Sequence, residues 1–138
     1  MGQSIFDAYK TNTDAEKEGK WFPSAFVPEA EFLLARAGGA NTKFKQKVAV
    51  ALKPHLRRLQ DMKMPEEETN AIVIPIFVDY VLLNWKGVKL TDKTEYPFSK
   101  ENAIKVLTSL PDLFAELRDK AQEFSNFIDE AIEDAVKN

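Results

Sequence analysis

The sequence has no cysteine and only one histidine among its 138 residues. Without cysteine there are no disulfides, thiolate metal sites or thiol nucleophiles. A single histidine, His55, is too little material for most zinc sites or for histidine-centred catalysis. The five glycines are too scattered to cradle a phosphate, and HExxH, EF-hand and serine-elbow spacings are missing. Charge of one sign is not in excess either, with 19 basic residues against 22 acidic ones. That balance points to neither nucleic acid nor membrane. The longest apolar stretch, Ala71 to Leu83, contains Pro75 and Asp79 and is too short to span a bilayer. The first residues carry neither the basic nor the apolar region of a secretory signal, and Phe6 stands where a myristoylation motif wants Ser or Thr. These absences argue for a non-enzymatic protein with no cofactor and no metal.

What is present is a helical pattern. With 44% apolar residues, a chain of this length can bury one core without staples. Residues 1–18 are polar and read as a flexible arm in which Ile5, Phe6 and Tyr9 are the sizeable apolar groups. Residues 19–138 read as a single, mainly helical domain. Near its start, Trp21-Phe22-Pro23 and Phe26-Val27-Pro28 suggest a strand over 20–27, confined to an edge by proline, with a second over 31–37. A helix from Pro28 to Ala37 is the competing reading. After Gly38-Gly39, Asn41 or Thr42 is placed to cap a helix whose apolar stripe is Phe44, Val48, Leu52, Leu56 and Leu59. Pro54 must kink that helix or divide it.

Pro65 followed by three glutamates begins a second helix, its carboxylates at the positive end of the dipole. The run from Ala71 to Leu83 makes it a buried central helix, with Gly87 as its expected C-terminal cap. A loop over 88–98 leads to a helix capped by Ser99, with Ala103, Ile104, Leu107 and Leu110 on one side. Ser109-Leu110-Pro111-Asp112 then resembles a capping box for a last helix. Leu113, Leu117, Ala121, Phe124, Ile128, Ala131 and Ala135 mark one face of it, widened by Phe127, Ile132 and Val136. The expected fold is therefore mainly α, a bundle of four or five helices with a small N-terminal β element. His55, and the pair Asp79 and Tyr80, read as packing or edge residues rather than as a site.

Charge is segregated along the chain. Residues 41–63 hold seven basic side chains against Asp61 alone, whereas residues 112–138 hold eight acidic ones against three basic. A basic helix can hold phosphates, but the interleaved aromatics of a nucleic-acid binder are missing. The favoured reading is a solvated face that complements an acidic one, within the molecule or between copies; head-to-tail pairing of copies would give rings or open arrays.

The order of the motifs carries a resemblance. Asn41 and Phe44 follow a glycine break. Tyr80-Val81-Leu82-Leu83-Asn84-Trp85-Lys86-Gly87-Val88 closes the apolar helix. Tyr96-Pro97-Phe98-Ser99-Lys100-Glu101-Asn102-Ala103 follows a polar turn, and Leu107-Thr108-Ser109-Leu110-Pro111-Asp112-Leu113-Phe114 comes last. Over roughly residues 20–125 this resembles the tail assembly chaperones of long-tailed bacteriophages. The resemblance implies a non-enzymatic factor that binds the helical tape measure protein and helps the tail tube protein polymerise around it. It implies action in the host cytoplasm, self-association, absence from the finished virion, and the shorter of two products related by a ribosomal frameshift. A structural minor tail or connector protein is the alternative. The family supplies no ligand motif, so the candidate partner-binding residues come from chemistry: a helical client needs an apolar groove with charge to steer the encounter. The candidates are the basic stripe Lys43, Lys47, Lys53, Arg57 and Arg58, with the aromatics Trp21, Phe22 and Phe26.

Overall fold

A computed structural model describes residues 4–91 and 93–129. Its N-terminal half contains helices α1 (Ile5–Tyr9) and α2 (Thr13–Glu18), strands β1 (Lys20–Pro23) and β2 (Glu31–Leu34), and helices α3 (Lys43–Leu52) and α4 (Leu56–Gln60). Then come α5 (Glu66–Tyr80), β3 (Leu82–Lys86), α6 (Lys100–Ser109) and α7 (Pro111–Gln122), with a 3-10 turn at Phe124–Phe127. The protein is mainly helical with a small antiparallel sheet, as its periodicities predict.

The strands follow from alternation and proline. β1 pairs with β2, Trp21 opposite Leu33, and alternation sends Phe32 and Leu34 into the core while Glu31 and Leu33 stay part-exposed. Both strands are shorter than expected. Pro23 has no amide to extend the ladder, and past Leu34 the Ala35 amide turns to the Val81 carbonyl, 2.8 Å away. The larger correction is β3, which pairs with the other side of β2. The buried helix stops at Tyr80 instead of running to Leu83, so Gly87 follows a strand and caps no helix. A register shift between Leu33 and Leu34 lets both Leu82 and Trp85 point inward although they are three residues apart.

α5 is the centre of the core. Phe77 meets Phe44 of α3 edge-on at 5.9 Å and Phe114 of α7 at 5.2 Å, contacts worth about 0.5–1.5 kcal/mol each beyond the area they bury. Pro54 divides the basic helix as expected: α3 ends at Leu52, Lys53–His55 form a 3-10 turn, and α4 resumes at Leu56. Leu56 at the divide is exposed, so the predicted apolar stripe is interrupted there. Asp79 is partly exposed and paired with Lys100 at 2.7 Å. Ser99 caps α6 through the Asn102 amide, 3.0 Å away.

Two expected caps are absent. Thr42 makes no side-chain cap bond. Asn41 instead donates its amide to the carbonyls of Arg36 and Tyr80, at 2.8 and 2.9 Å, and so ties the loop before α3 to the end of α5. Asn41→Ala would leave two carbonyls short of a donor, and a loss of about 1–3 kcal/mol is expected. Urea denaturation measures it; an unchanged midpoint would mean that water replaces the amide. Similarly, Ser109 closes α6, and α7 starts on Pro111 with no side-chain cap.

The chain ends also differ from expectation. Residues 13–18 of the expected arm form α2, and its Glu16 is buried at 2% exposure. Residues 10–12 run against residues 127–129 through Asn12 N to Phe127 O at 2.8 Å and Asp129 N to Lys10 O at 3.1 Å. The last helix ends at Gln122, and Glu123 is extended. Ala131, Ile132, Ala135 and Val136, expected on that helix, lie outside the described residues.

Candidate apolar cleft

Four large apolar side chains that folding leaves in solvent border one cleft. Phe26 is 92% exposed, Leu90 63%, Leu110 52% and Val27 51%. The cleft holds about 930 Å³ and is lined mostly by apolar surface. Its inner wall includes Ala30 and Phe32 at β2, Val88 and Tyr96 after β3, and Val106 and Leu113 from α6 and α7. This is the size and lining of a binding pocket rather than of scattered surface leucines.

Each wall has a local cause. The 24–30 loop is closed by Ser24 N to Ala30 O at 2.8 Å and Ala30 N to Val27 O at 2.9 Å. Ser24 Oγ also accepts from the Phe26 and Val27 amides at 3.3 and 3.2 Å. These bonds occupy the backbone and leave the Phe26 and Val27 side chains outward. The second wall is held by Trp85, whose indole N–H donates to Tyr96 O at 2.7 Å and whose ring meets Phe98 edge-on at 5.2 Å. Tyr96 N returns to Val88 O at 2.7 Å. The third wall is the α6–α7 junction, where Pro111 starts a new helix directly after Leu110 and turns that leucine out. Charges stand along the rims: Glu29 and Lys89 on one side, Lys105, Asp112 and Glu116 on the other.

Of the candidate partner-binding residues, the structure brings only Phe26 to this cleft. Trp21, 39% exposed, lies on the outer face of the sheet with Lys86 Nζ 4.4 Å from its ring centre. Phe22 is half-buried and packs edge-on against Phe127 at 6.0 Å. Lys43, Lys47, Lys53, Arg57 and Arg58 are exposed on α3, α4 and the turn between them, and none lines the cleft. Arg58 is engaged, with Nη1 and Nη2 each donating to one oxygen of the Glu68 carboxylate at 2.6 Å. The hydrogen bonds of this pair raise the Arg58 pKa and lower that of Glu68. Periodicity does not single out Val27 or Leu90, and it sets Leu110 on the apolar side of α6 with Ala103, Ile104 and Leu107, whereas the structure leaves Leu110 at the helix end and 52% exposed. A different signal marks them: each is a large apolar residue at a turn or element end, Val27 and Leu110 directly before proline, where polar groups usually sit.

The model of a family described as YdaY prophage protein matches residues 39–138. The chain belongs to the YdaY prophage protein family. No curated protein and no solved structure matches it. The YdaY match takes in α3 through α7, and with them the basic stripe and two of the three walls of the cleft. The β1–β2 loop with Phe26 and Val27 precedes it, so the cleft joins matched and unmatched segments. Among the described residues there is no group of three His, Asp or Glu side chains placed to hold a metal. No helix among them is long and apolar enough to cross a membrane.

Proposed function

We propose that this prophage protein is a non-enzymatic tail assembly chaperone, which binds the tape measure protein and promotes assembly of the tail tube protein around it. The observation that carries the reading is the cleft, where Phe26, Val27, Leu90 and Leu110 stay exposed around one apolar depression. A protein that keeps a long, apolar, helical client in solution needs such a surface. Family membership supplies the phage context. The motifs behind the resemblance also build the cleft: Trp85-Lys86-Gly87-Val88 and Tyr96-Pro97-Phe98 pack on each other to form its second wall. In this reading the protein acts in the host cytoplasm, self-associates, and is left out of the virion.

The test is an affinity pull-down of the chain co-expressed with the neighbouring tail genes, nuclease-treated, with bound proteins identified by mass spectrometry. Recovery of a tape measure or tube protein supports the reading. Recovery of the chain alone, together with its presence in purified virions, would replace it with a structural tail component. The basic stripe has the separate role of steering. Lys43, Lys47, Lys53 and Arg57 have no ion-pair partner among the described residues. Changing all four to Glu is expected to leave the fold intact and to slow client association about tenfold at low salt. Stopped-flow binding at two ionic strengths checks this; an unchanged rate would remove the stripe from the mechanism.

A further inference from the structure

α1 folds with its apolar side in solvent. At about 100° per residue, Ile5, Phe6 and Tyr9 fall within an arc of about 100°. All three are exposed, Phe6 at 85%, and with Lys10 they border one shallow depression. Five residues are far fewer than a helix needs to persist alone in water. Its first turn is capped by Ser4, whose Oγ accepts from the Asp7 amide at 3.0 Å, and at its other end Tyr9 stacks on Phe124 at 5.1 Å. Neither contact covers Ile5 or Phe6.

The path of the chain brings a cover to the place. Residues 127–129 run antiparallel to residues 10–12, with Thr11 bridged to Ile128 and the Asp129 amide donating to Lys10 O at 3.1 Å. A chain that continues past Asp129 in that direction passes along α1, from Tyr9 toward Ile5. The sequence from Glu130 to Asn138 has the matching pattern. Placed at about 100° per residue, Ala131, Ile132, Ala135 and Val136 fall within about 140° of arc, and Glu130, Glu133, Asp134 and Lys137 all fall in the remainder. In helical form Ala131 to Val136 would rise about 7.5 Å, close to the rise of about 6 Å from Ile5 to Tyr9.

We propose that the apolar side of α1 is the docking site for residues 130–138 of the same chain, packed on it as an antiparallel amphipathic helix, with Ala131 and Ile132 against Tyr9 and with Ala135 and Val136 against Ile5 and Phe6. Each segment is too short to hold a helix alone, so each supplies what the other lacks. A second copy is the weaker occupant. Its α1 would have to reach this face by diffusion, whereas residue 130 is tethered beside Lys10 and meets it at an effective concentration in the millimolar range. The assignment is independent of the chaperone reading. Its consequence for that reading is that α1 is closed to a client, which leaves the cleft as the apolar surface on offer.

The test is amide hydrogen exchange in the full chain, read residue by residue by NMR. In α1 the Ala8 amide is bonded to Ser4 O at 2.9 Å. An Ile132→Glu, Val136→Glu double variant is expected to speed exchange at Ala8 at least about tenfold and to leave the amide of the core residue Phe77 unchanged. The reciprocal variant is Phe6→Glu, at an exposed position where the fold should survive. It is expected to speed exchange at the amides of residues 134–136 by a similar factor. With all three substitutions, exchange at Ala8 should be no faster than in the double variant, because one contact can be lost only once. Unchanged exchange at 134–136 in Phe6→Glu overturns the proposal, whether or not the double variant folds. Protection of Ala8 that falls as the wild type is diluted overturns it in favour of a second copy on α1.

Discussion

Glu16→Ala is expected to destabilise the protein by about 3 kcal/mol, the low end of what breaking a buried ion pair costs. The carboxylate is 2% exposed and accepts from three donors on different segments: the Thr11 hydroxyl, Arg36 Nη1 at 2.8 Å, and the Ala40 amide at 3.1 Å. It thus holds α2, the end of the β2 segment and the approach to α3 in one knot. Gly39 is part of the same fit, since a Cβ there would collide with the carboxylate itself. Removing the side chain strands a guanidinium that is only 21% exposed and frees two further donors. Some access of Arg36 to water keeps the cost near the bottom of the range.

The same carboxylate gives the protein an acid limb. Burial pushes the Glu16 pKa up, but the hydrogen bonds from Thr11, Arg36 and Ala40, with the Arg36 charge, outweigh it and hold the group below the usual 4.5. A carboxyl whose folded-state pKa is depressed adds stability that is fully present above its unfolded-state pKa. That contribution is lost as pH falls through the folded-state value. Glu16→Gln keeps the shape and removes the charge, so the wild type should exceed it in stability near neutral pH. The gap should narrow as pH drops below about 4.5. Urea denaturation at pH 7 and pH 3 measures both; a gap independent of pH would mean that the charge contributes nothing. The exposed Arg58–Glu68 pair is not expected to add a comparable limb, because solvent screens it.

Glu16 also shows what the sequence hides. Residues 13–18 are polar and read as arm because nothing local says that one carboxylate will be paired with Arg36, twenty residues on. Local signals were legible where they are self-contained. Pro65 and Glu66–Glu68 start α5, Ser99 caps α6, and Pro54 divides α3 from α4. β3 was not legible because no glycine or proline separates Tyr80 from Leu82. The helix gives way to a strand at Val81 because β2, fifty residues earlier, offers a free edge. The last helix was overextended for the same kind of reason. Phe124 and Phe127 keep helical spacing, but Tyr9 stacks on the first at 5.1 Å and Phe22 meets the second at 6.0 Å, and those contacts pull the chain out of the helix after Gln122. The cleft was legible least, since its walls come from three separate stretches. Of the candidate partner-binding residues only Phe26 reaches it, and that aromatic was expected in a strand over 20–27, whereas β1 ends at Pro23.

Gly87→Ala is expected to cost about 3 kcal/mol or more, from two sources that act together. Gly87 has φ of +72°, a conformation that costs an L-residue roughly 1–2 kcal/mol. In addition, a Cβ there would collide with the carbonyl oxygen of Glu29. That oxygen is backbone, and its neighbour Ala30 is fixed by hydrogen bonds to Ser24 and Val27, so no side-chain rotation relieves the clash. Relief requires moving the 24–30 loop away from the segment after β3, and both of these border the cleft. The substitution should therefore lower the denaturation midpoint and weaken client binding together, even at temperatures where the variant is folded. Leu110→Glu should weaken binding and leave the midpoint near that of the wild type. Measured side by side, the two variants separate a cleft that must keep its shape from one that needs only its apolar surface. If Gly87→Ala left the midpoint unchanged, the loop would be free to yield. The walls would then be adaptable, and client binding would rest on exposed apolar surface rather than on a fixed groove.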